Sequence, residues 1–109
     1  MPAYALAQVH ATEPCPDIVE YLRRIDATLD AFGGRFLVHR SKFETLEGSW
    51  GKQGLILIEF PDYQQAQAWY ASPAYQDILH LRTRHMTADA IIAEGVPAGY
   101  RAEHSLDPH

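Results

Sequence analysis

The chain of 109 residues lacks the features that mark several specialised classes of protein. Its single cysteine, Cys15, cannot form a disulfide within the chain. Its apolar runs fall well short of the roughly 20 residues that a membrane-spanning helix needs. The first ten residues have neither the basic region nor the sustained apolar stretch of a signal peptide. We therefore expect a cytoplasmic protein that has no membrane partner.

Basic residues are also scarce, with nine lysines and arginines against fourteen acidic residues and a net charge of −5. Such a surface repels nucleic acid, and RTRH at 82–85, the densest basic cluster, is too short to bind a polyanion. The sequence contains no GxGxxG, P-loop or GxSxG motif. We expect no nucleic-acid partner, no cofactor and no hydrolase triad.

Two periodicities organise the first half of the chain. Residues 4–11 alternate, which predicts a strand with one small alanine face suited to close approach of a helix. From Asp17 to Phe32 the apolar residues form one helical stripe, and Gly33-Gly34 ends it. Residues 35–40 alternate again, with Phe36 and Val38 opposite Arg35, Leu37 and His39. We expect this strand to continue through 43–46 and to turn back through a loop at 47–51.

The second half begins with an apolar run at 55–58, typical of a strand covered on both faces. Asp62 is placed to cap the next helix, with Gln65 three residues later. WYASPAYQ at 69–76 then interrupts this helix: Ser72 is a good N-cap and Pro73 suits the first helical position. A second helical piece therefore starts at Pro73, and residues 88–94 form the last strand.

The predicted order is strand, helix, strand, strand, broken helix, strand. It indicates an α+β, ferredoxin-like βαββαβ fold (a split βαβ) over residues 1–95, with a four-stranded antiparallel sheet and the helices on one face. Residues 96–109 have no periodicity and are predicted to form an irregular tail. The uncovered sheet face would be apolar, and large exposed apolar patches usually mark interfaces. We therefore predict a homodimer through the sheet face.

Several segments together resemble the domain-of-unknown-function family 1330 (DUF1330), in the dimeric α+β barrel superfamily. They are YALAQV (4–9), AFGGRFLV (31–38), LEG (46–48), IEFPDYQQAQAWYASPAYQ (58–76) and LRTRHMTADAIIAEG (81–95). The resemblance covers almost all of residues 3–95. It implies the same fold and a sheet-to-sheet dimer, but it assigns no reaction and no catalytic residues. His39 and Arg40 stand where it leads us to expect arginine and glycine.

Two groups of residues could line a pocket between sheet and helices. In the first, Arg35 and Arg82 could hold a carboxylate while Glu59 acts as a general base, with Glu47 nearby. The alternative is an ion-pair network that fixes helix to sheet. The second group is aromatic, and it could surround a flat ligand or simply be core: Tyr21, Trp69, Tyr70 and Tyr75. The helix break should shape the pocket rim, with Ser72 as a possible contact.

The histidines give weaker signals. His10 and His39 with Glu59 could bind a metal, but no local ligand motif supports this, and His80 and His85 are five residues apart. His104 and His109 lie in the tail, and Cys15 has no partner that would make it a nucleophile. We expect no metal. The resulting hypothesis is a dimer whose pocket takes a small organic acid or aromatic metabolite, with His39 or Glu59 as a proton-transfer group. The alternative is a non-catalytic binding or structural dimer.

Overall fold

The predicted ferredoxin-like α+β arrangement is confirmed by a computed structural model, which describes residues 1–106. The sheet has the strand order β2-β3-β1-β4, and every neighbouring pair is antiparallel. Along the chain the elements are β1 (Ala3–Thr12), α1 (Pro16–Asp30), β2 (Arg35–His39), β3 (Leu55–Phe60), α2 (Tyr63–Ala71), α3 (Pro73–Thr83) and β4 (Met86–Glu94).

The C-terminal segment after β4 contains one short 3₁₀ helix, Ala102–Leu106, whose residues are all exposed. The predicted irregular tail spans 96–109, of which 107–109, including His109, lie outside the described residues. The boundary of the folded domain at residue 95 stays a prediction. Within residues 1–106 no helix is long and apolar enough to cross a membrane. A cytoplasmic location also stays a prediction.

Helix α1 forms where the apolar stripe predicted it. Pro16 occupies its first turn, and Ile18, Tyr21, Ile25 and Leu29 are buried on one side. The chain leaves the helix through Gly33, whose φ of 70° lies in the left-handed region that glycine enters at low cost. This stripe covers one face of the sheet and forms the roof of the core.

The two faces of the sheet differ in what covers them. Phe60 and Ile58 of β3 and Ala3 of β1 face the helices and join one buried core with Leu29, Trp69, Tyr75 and Ile78. The residues of opposite parity form the other face, which no element within residues 1–106 covers in the single chain. At its centre Leu6 pairs with Leu57 on one side and with Ile91 on the other. Ile91 is 58% exposed.

The path of β2 departs from the predicted alternation. Phe36 pairs with Ile58, but the register then shifts, so that Val38 pairs with Leu57 and His39 with Ile56. Leu37 is thus the extra residue of a β-bulge, which reverses the face of every following side chain. The expectation that Phe36 and Val38 share a face opposite His39 is therefore wrong: Phe36 and His39 lie on the helix side.

The predicted continuation of this strand through residues 43–46 is also wrong, since residues 41–54 contain no strand. The backbone N–H of Arg40 donates to the carbonyl of Leu55, the first residue of β3. Beyond that point β3 offers no backbone to pair with. Alternating residues alone do not make a strand when no neighbour supplies hydrogen bonds, and the segment forms a long exposed loop instead.

Candidate functional site

A cavity of about 400 Å³ lies between the sheet and the helices. All four strands and all three α-helices contribute to its lining. Its floor includes Ala5 and Ala7 of β1, and Ala90 of β4 lies at its exposed edge. The methyl side chains of these residues fill little of the space. From the sequence we expect this alanine face to let a helix approach closely. The small side chains leave a pocket instead, of the size that holds small organic ligands.

One polar corner of the pocket combines two tyrosines and an arginine. The hydroxyl oxygens of Tyr21 on α1 and Tyr75 on α3 are 2.8 Å apart and share one hydrogen bond. The guanidinium carbon of Arg82, on the last turn of α3, lies 5.9 Å from the centre of the Tyr21 ring, within cation–π range. All three residues line the cavity. One of the two phenol protons is engaged in the pair, and the other is free for a further acceptor.

In this corner the Tyr21 phenol stays neutral and the Arg82 guanidinium stays positively charged. Burial raises the pKa of Tyr21, and the Tyr75 hydroxyl raises it further. Burial alone would lower the pKa of Arg82, but the phenol oxygens of Tyr75 and Tyr21 outweigh it, and the net pKa is raised. The corner therefore carries one positive charge at neutral pH and suits an anionic group.

His39 forms a second polar point of the same pocket. The bulge at Leu37 turns its ring to the helix side, where it packs against Phe36 with ring centres 5.0 Å apart. Burial lowers the pKa of His39, and the charge of Arg40 lowers it further, against an opposing effect of Asp26 on α1. A neutral imidazole next to an apolar pocket can accept a proton.

The helix break explains the aromatic cluster. The Ser72 side chain accepts a hydrogen bond from the backbone N–H of Tyr75 and donates one to the carbonyl of Trp69. It thereby caps α3 and ends α2, as predicted. The turn brings the Trp69 and Tyr75 rings to 4.1 Å between centres and leaves Tyr70 41% exposed at the pocket rim. Ser72 itself is buried and does not line the cavity.

The charged residues expected in one pocket are not brought together. Arg35 donates to Glu59 through Nε at 3.1 Å and Nη2 at 2.8 Å, but Glu59 pairs with Tyr4 on the uncovered face of the sheet. Both side chains thus lie on the opposite side of the sheet from the cavity. Arg35 precedes the bulge in β2, and Glu59 follows the regular alternation of β3. Glu47 lies in the exposed loop after β2. Of the four, only Arg82 lines the pocket.

Two of the other histidines contact carboxylates. His10 contacts Asp89 at 2.9 Å. His85 Nε2 is 3.0 Å from an oxygen of Asp17, and its Nδ1 is 3.3 Å from one of Glu13. This double contact, which ties the start of α1 to the end of α3, was not foreseen, since nothing local links residues so distant in sequence. In the part of the chain that the structure describes, no three His, Cys, Asp or Glu side chains could share a metal ion.

The model of a family described as a domain of unknown function, DUF1330, matches residues 2–96. The chain belongs to this family. The DUF1330 chain is also similar in fold to several solved structures. One, a protein of unknown function from Rhodopseudomonas palustris, is 13% identical, with a TM-score of 0.59 over 88% of this chain and 83% of that one. Among curated proteins, none matches the DUF1330 chain significantly.

Two further structures resemble it at similar distance. A dimeric ferredoxin-like protein of unknown function from Jannaschia sp. CCS1 is 16% identical, with a TM-score of 0.56 over 87% of this chain and all of the other. SnoaB, a cofactor-independent oxygenase from Streptomyces nogalater, is 14% identical, with a TM-score of 0.51 over 93% and 96% of the two chains. At these identities the likeness is one of fold.

One local feature of the DUF1330 chain agrees with what the family resemblance implied. Arg40 has a φ of 55°, in the left-handed region, at the position where the resemblance led us to expect glycine. A side chain in this region costs on the order of 1 kcal/mol. The backbone turn after β2 is therefore kept although the residue that best suits it is absent. His39 therefore lies between two irregular backbone positions, the bulge at Leu37 and the left-handed residue Arg40.

Proposed function

We propose that the protein binds a small aromatic acid in this pocket and that His39 exchanges a proton with the bound molecule. The observation that carries the proposal is the presence of the half-buried Arg82 guanidinium and the His39 imidazole in one cavity whose remaining lining is mostly apolar. Ligand sites commonly combine an apolar lining with a few convergent polar groups.

Arg82 is the group proposed to hold the acid. It is the one arginine among the residues lining the cavity, and a guanidinium can bind a carboxylate through two parallel hydrogen bonds. The Tyr21–Tyr75 pair can add a donor from its unengaged proton. The rings of Trp69 and Tyr75 offer flat apolar surface next to it, which favours an aromatic ligand over an aliphatic one.

His39 is the group proposed to move a proton, in place of Glu59, whose side chain is on the other face of the sheet. β-bulges often occur beside active sites, where they redirect a side chain. The lowered pKa leaves His39 neutral near pH 7 and available as a base. The fold has supported chemistry without a cofactor in SnoaB, and proton transfer by a histidine needs none.

A second copy of the chain is proposed to cover the open sheet face. Leu6, Leu57 and Ile91 lie side by side at its centre, and an apolar face of this kind is typical of an interface. Fold neighbours from Jannaschia sp. and Thermobifida fusca are described as dimeric. The ion pair between Arg35 and Glu59 would then lie at the edge of the contact, outside either pocket.

Binding is tested by thermal shift and calorimetry with benzoate and phenylpyruvate. The wild-type protein should be stabilised by both, and Arg82→Met should lose at least tenfold in affinity. Arg84→Met is the matched control, because Arg84 is an exposed arginine two residues later that does not line the cavity. Equal losses in both variants, or no binding to the wild type, would refute the proposal.

Proton transfer is tested with 4-acetylbenzoate in D₂O, by following the loss of its methyl proton signals by NMR, because its carboxylate and its enolisable methyl group lie at opposite ends of the ring. Exchange should be faster with wild-type protein and should fall to the buffer rate with His39→Gln. His80→Gln, which changes an exposed histidine on α3, should leave the rate unchanged. Tight binding without accelerated exchange would favour the alternative, a non-catalytic ligand-binding dimer.

The assembly is tested by light scattering at micromolar concentration. Wild-type protein should have twice the 12.3 kDa mass of one chain. Ile91→Glu should yield monomers, because it places a charge in the proposed contact. Val19→Glu makes the same change at an exposed apolar residue on α1 and should remain dimeric. A monomeric wild-type protein would contradict this part of the proposal.

A further inference from the structure

The pocket runs across the whole width of the sheet. In the register of the strands, His39 pairs with Ile56, Ile56 with Ala7, and Ala7 with Ala90, so these four residues form one transverse row. All four line the cavity. The row spans three gaps between strands of about 4.8 Å each, which makes the floor of the pocket about 14 Å long.

The two polar points of the pocket lie toward opposite ends of this row. His39 is on β2, one edge strand of the sheet. Arg82 is at the end of α3, and only Arg84 and His85 separate that helix from Met86, which begins β4 at the opposite edge. Met86 lines the cavity together with Arg82. The two polar points also lie beside different parts of α1. Arg82 adjoins Tyr21 of that helix. His39 is affected by the charge of Asp26, which is more than one turn farther along the same helix.

A ligand that reaches both points must therefore be long as well as flat. A single aromatic ring with one carboxylate covers about half of a 14 Å floor. When its acid is held at Arg82, it leaves the space over Ala7 and Ile56 empty and does not reach His39. A second ring fills that space and buries its faces against the floor and the helices, which adds favourable apolar burial.

We propose that the natural ligand class is a two-ring aromatic monoanion, with its acid group at Arg82 and its second ring over Ala7, facing His39. This inference rests on the proposed function and specifies the length and charge of what the pocket takes. The row of four residues sets the length of the ligand. The small side chain of Ala7 keeps this row continuous, because a larger side chain there would divide it in two. The cationic corner sets the charge.

The test compares three probes by isothermal titration calorimetry: benzoate, 2-naphthoate and the neutral isostere 2-naphthamide. Wild-type protein should bind 2-naphthoate at least tenfold more tightly than benzoate and at least tenfold more tightly than 2-naphthamide. Ala7→Leu should reduce the affinity for 2-naphthoate to that for benzoate while changing benzoate less than threefold. Ala27→Leu, on the exposed side of α1, is the matched control and should change neither.

The outcomes separate this inference from the proposed function. If benzoate binds at Arg82 as tightly as 2-naphthoate, the two-ring inference is overturned while the proposed function stands. If 2-naphthamide binds as well as 2-naphthoate, the requirement for an anion is overturned. If none of the probes binds, both fail. Ala90→Leu serves as a second blocking variant in case Ala7→Leu does not fold, and it should again weaken 2-naphthoate more than benzoate.

Discussion

The hydrogen bond between Tyr21 and Tyr75 gives a sharp test of how the pocket corner is built. Tyr21 is 7% exposed and Tyr75 is 2% exposed, so neither hydroxyl has ready access to bulk water. Replacing one tyrosine by phenylalanine removes one hydroxyl and leaves the other buried without its partner. An unsatisfied buried hydroxyl costs about 1–3 kcal/mol. We therefore expect each single Tyr→Phe change to lower the free energy of unfolding by that amount.

The double change should cost less than the two single changes together. Once both hydroxyls are gone, no unsatisfied group remains, and two phenylalanine rings of nearly the same shape occupy the site. The loss is then close to the net value of one hydrogen bond, about 1 kcal/mol. The coupling between the two positions should therefore be at least about 1 kcal/mol. Tyr21→Phe should be the more harmful single change, because it leaves the more deeply buried hydroxyl of Tyr75 unpaired.

The assay is urea unfolding followed by far-ultraviolet circular dichroism, at one fixed protomer concentration because assembly contributes to stability. The midpoint should shift while the slope of the transition stays constant. Tyr63→Phe is the control, since Tyr63 is 37% exposed and should change stability by less than about 0.5 kcal/mol. Strictly additive single changes, or singles as mild as the control, would refute the argument that the two hydroxyls satisfy each other.

Three other predictions follow from single features. The contacts of His85 with Asp17 and Glu13 raise its pKa. Protonated His85 therefore stabilises the fold fully below pH about 6.5, and this stabilisation is lost as the pH rises through the folded-state pKa. In unfolding curves measured at several pH values, His85→Gln should abolish this dependence. Thr28→Val removes the acceptor 3.0 Å from Trp69 Nε1 and should lower stability by about 1–3 kcal/mol, measured by urea unfolding. Gly51→Ala would force a methyl group against the Val9 carbonyl oxygen and should cost about 1–3 kcal/mol by the same measurement.

The helices were predictable because their signals are local. The stripe on α1 needs only spacing along the chain, and the double role of Ser72 needs only a capping side chain followed by proline. Both interactions occur within three or four residues. The order of elements then restricts the topology to very few arrangements. For these reasons the sequence was sufficient for the fold and for the aromatic residues around Trp69.

The content of the pocket was less predictable because it depends on strand register. A bulge is one extra residue, and at Leu37 nothing in the sequence distinguishes it from regular alternation. Regular alternation therefore predicts that His39 shares a face with Arg35. Glu59 is a related case. Its place at the end of an apolar strand does not indicate which face of the sheet its carboxylate occupies. Nor does the sequence indicate that Arg35 pairs with it.

The alanines of β1 led us to predict close helix packing where the structure has a cavity, and the reason is a different one. Small side chains permit either close packing or an empty space, and the distance between helix and sheet decides which occurs. That distance is set elsewhere, by large residues such as Phe60, Trp69 and Tyr75 that hold the layers apart. No signal within residues 4–11 contains this information. The cavity becomes visible only when the layers are assembled.

The extra residue in β2 has an evolutionary consequence. If Leu37 were deleted, the strand would regain its regular pleat, and the imidazole that follows would point away from the helices without any change in its own identity. Gain or loss of acid–base capacity could then result from a single-codon insertion or deletion rather than from a substitution. Related chains that differ in length at this point should therefore be compared by pairing register before their residues are aligned by name.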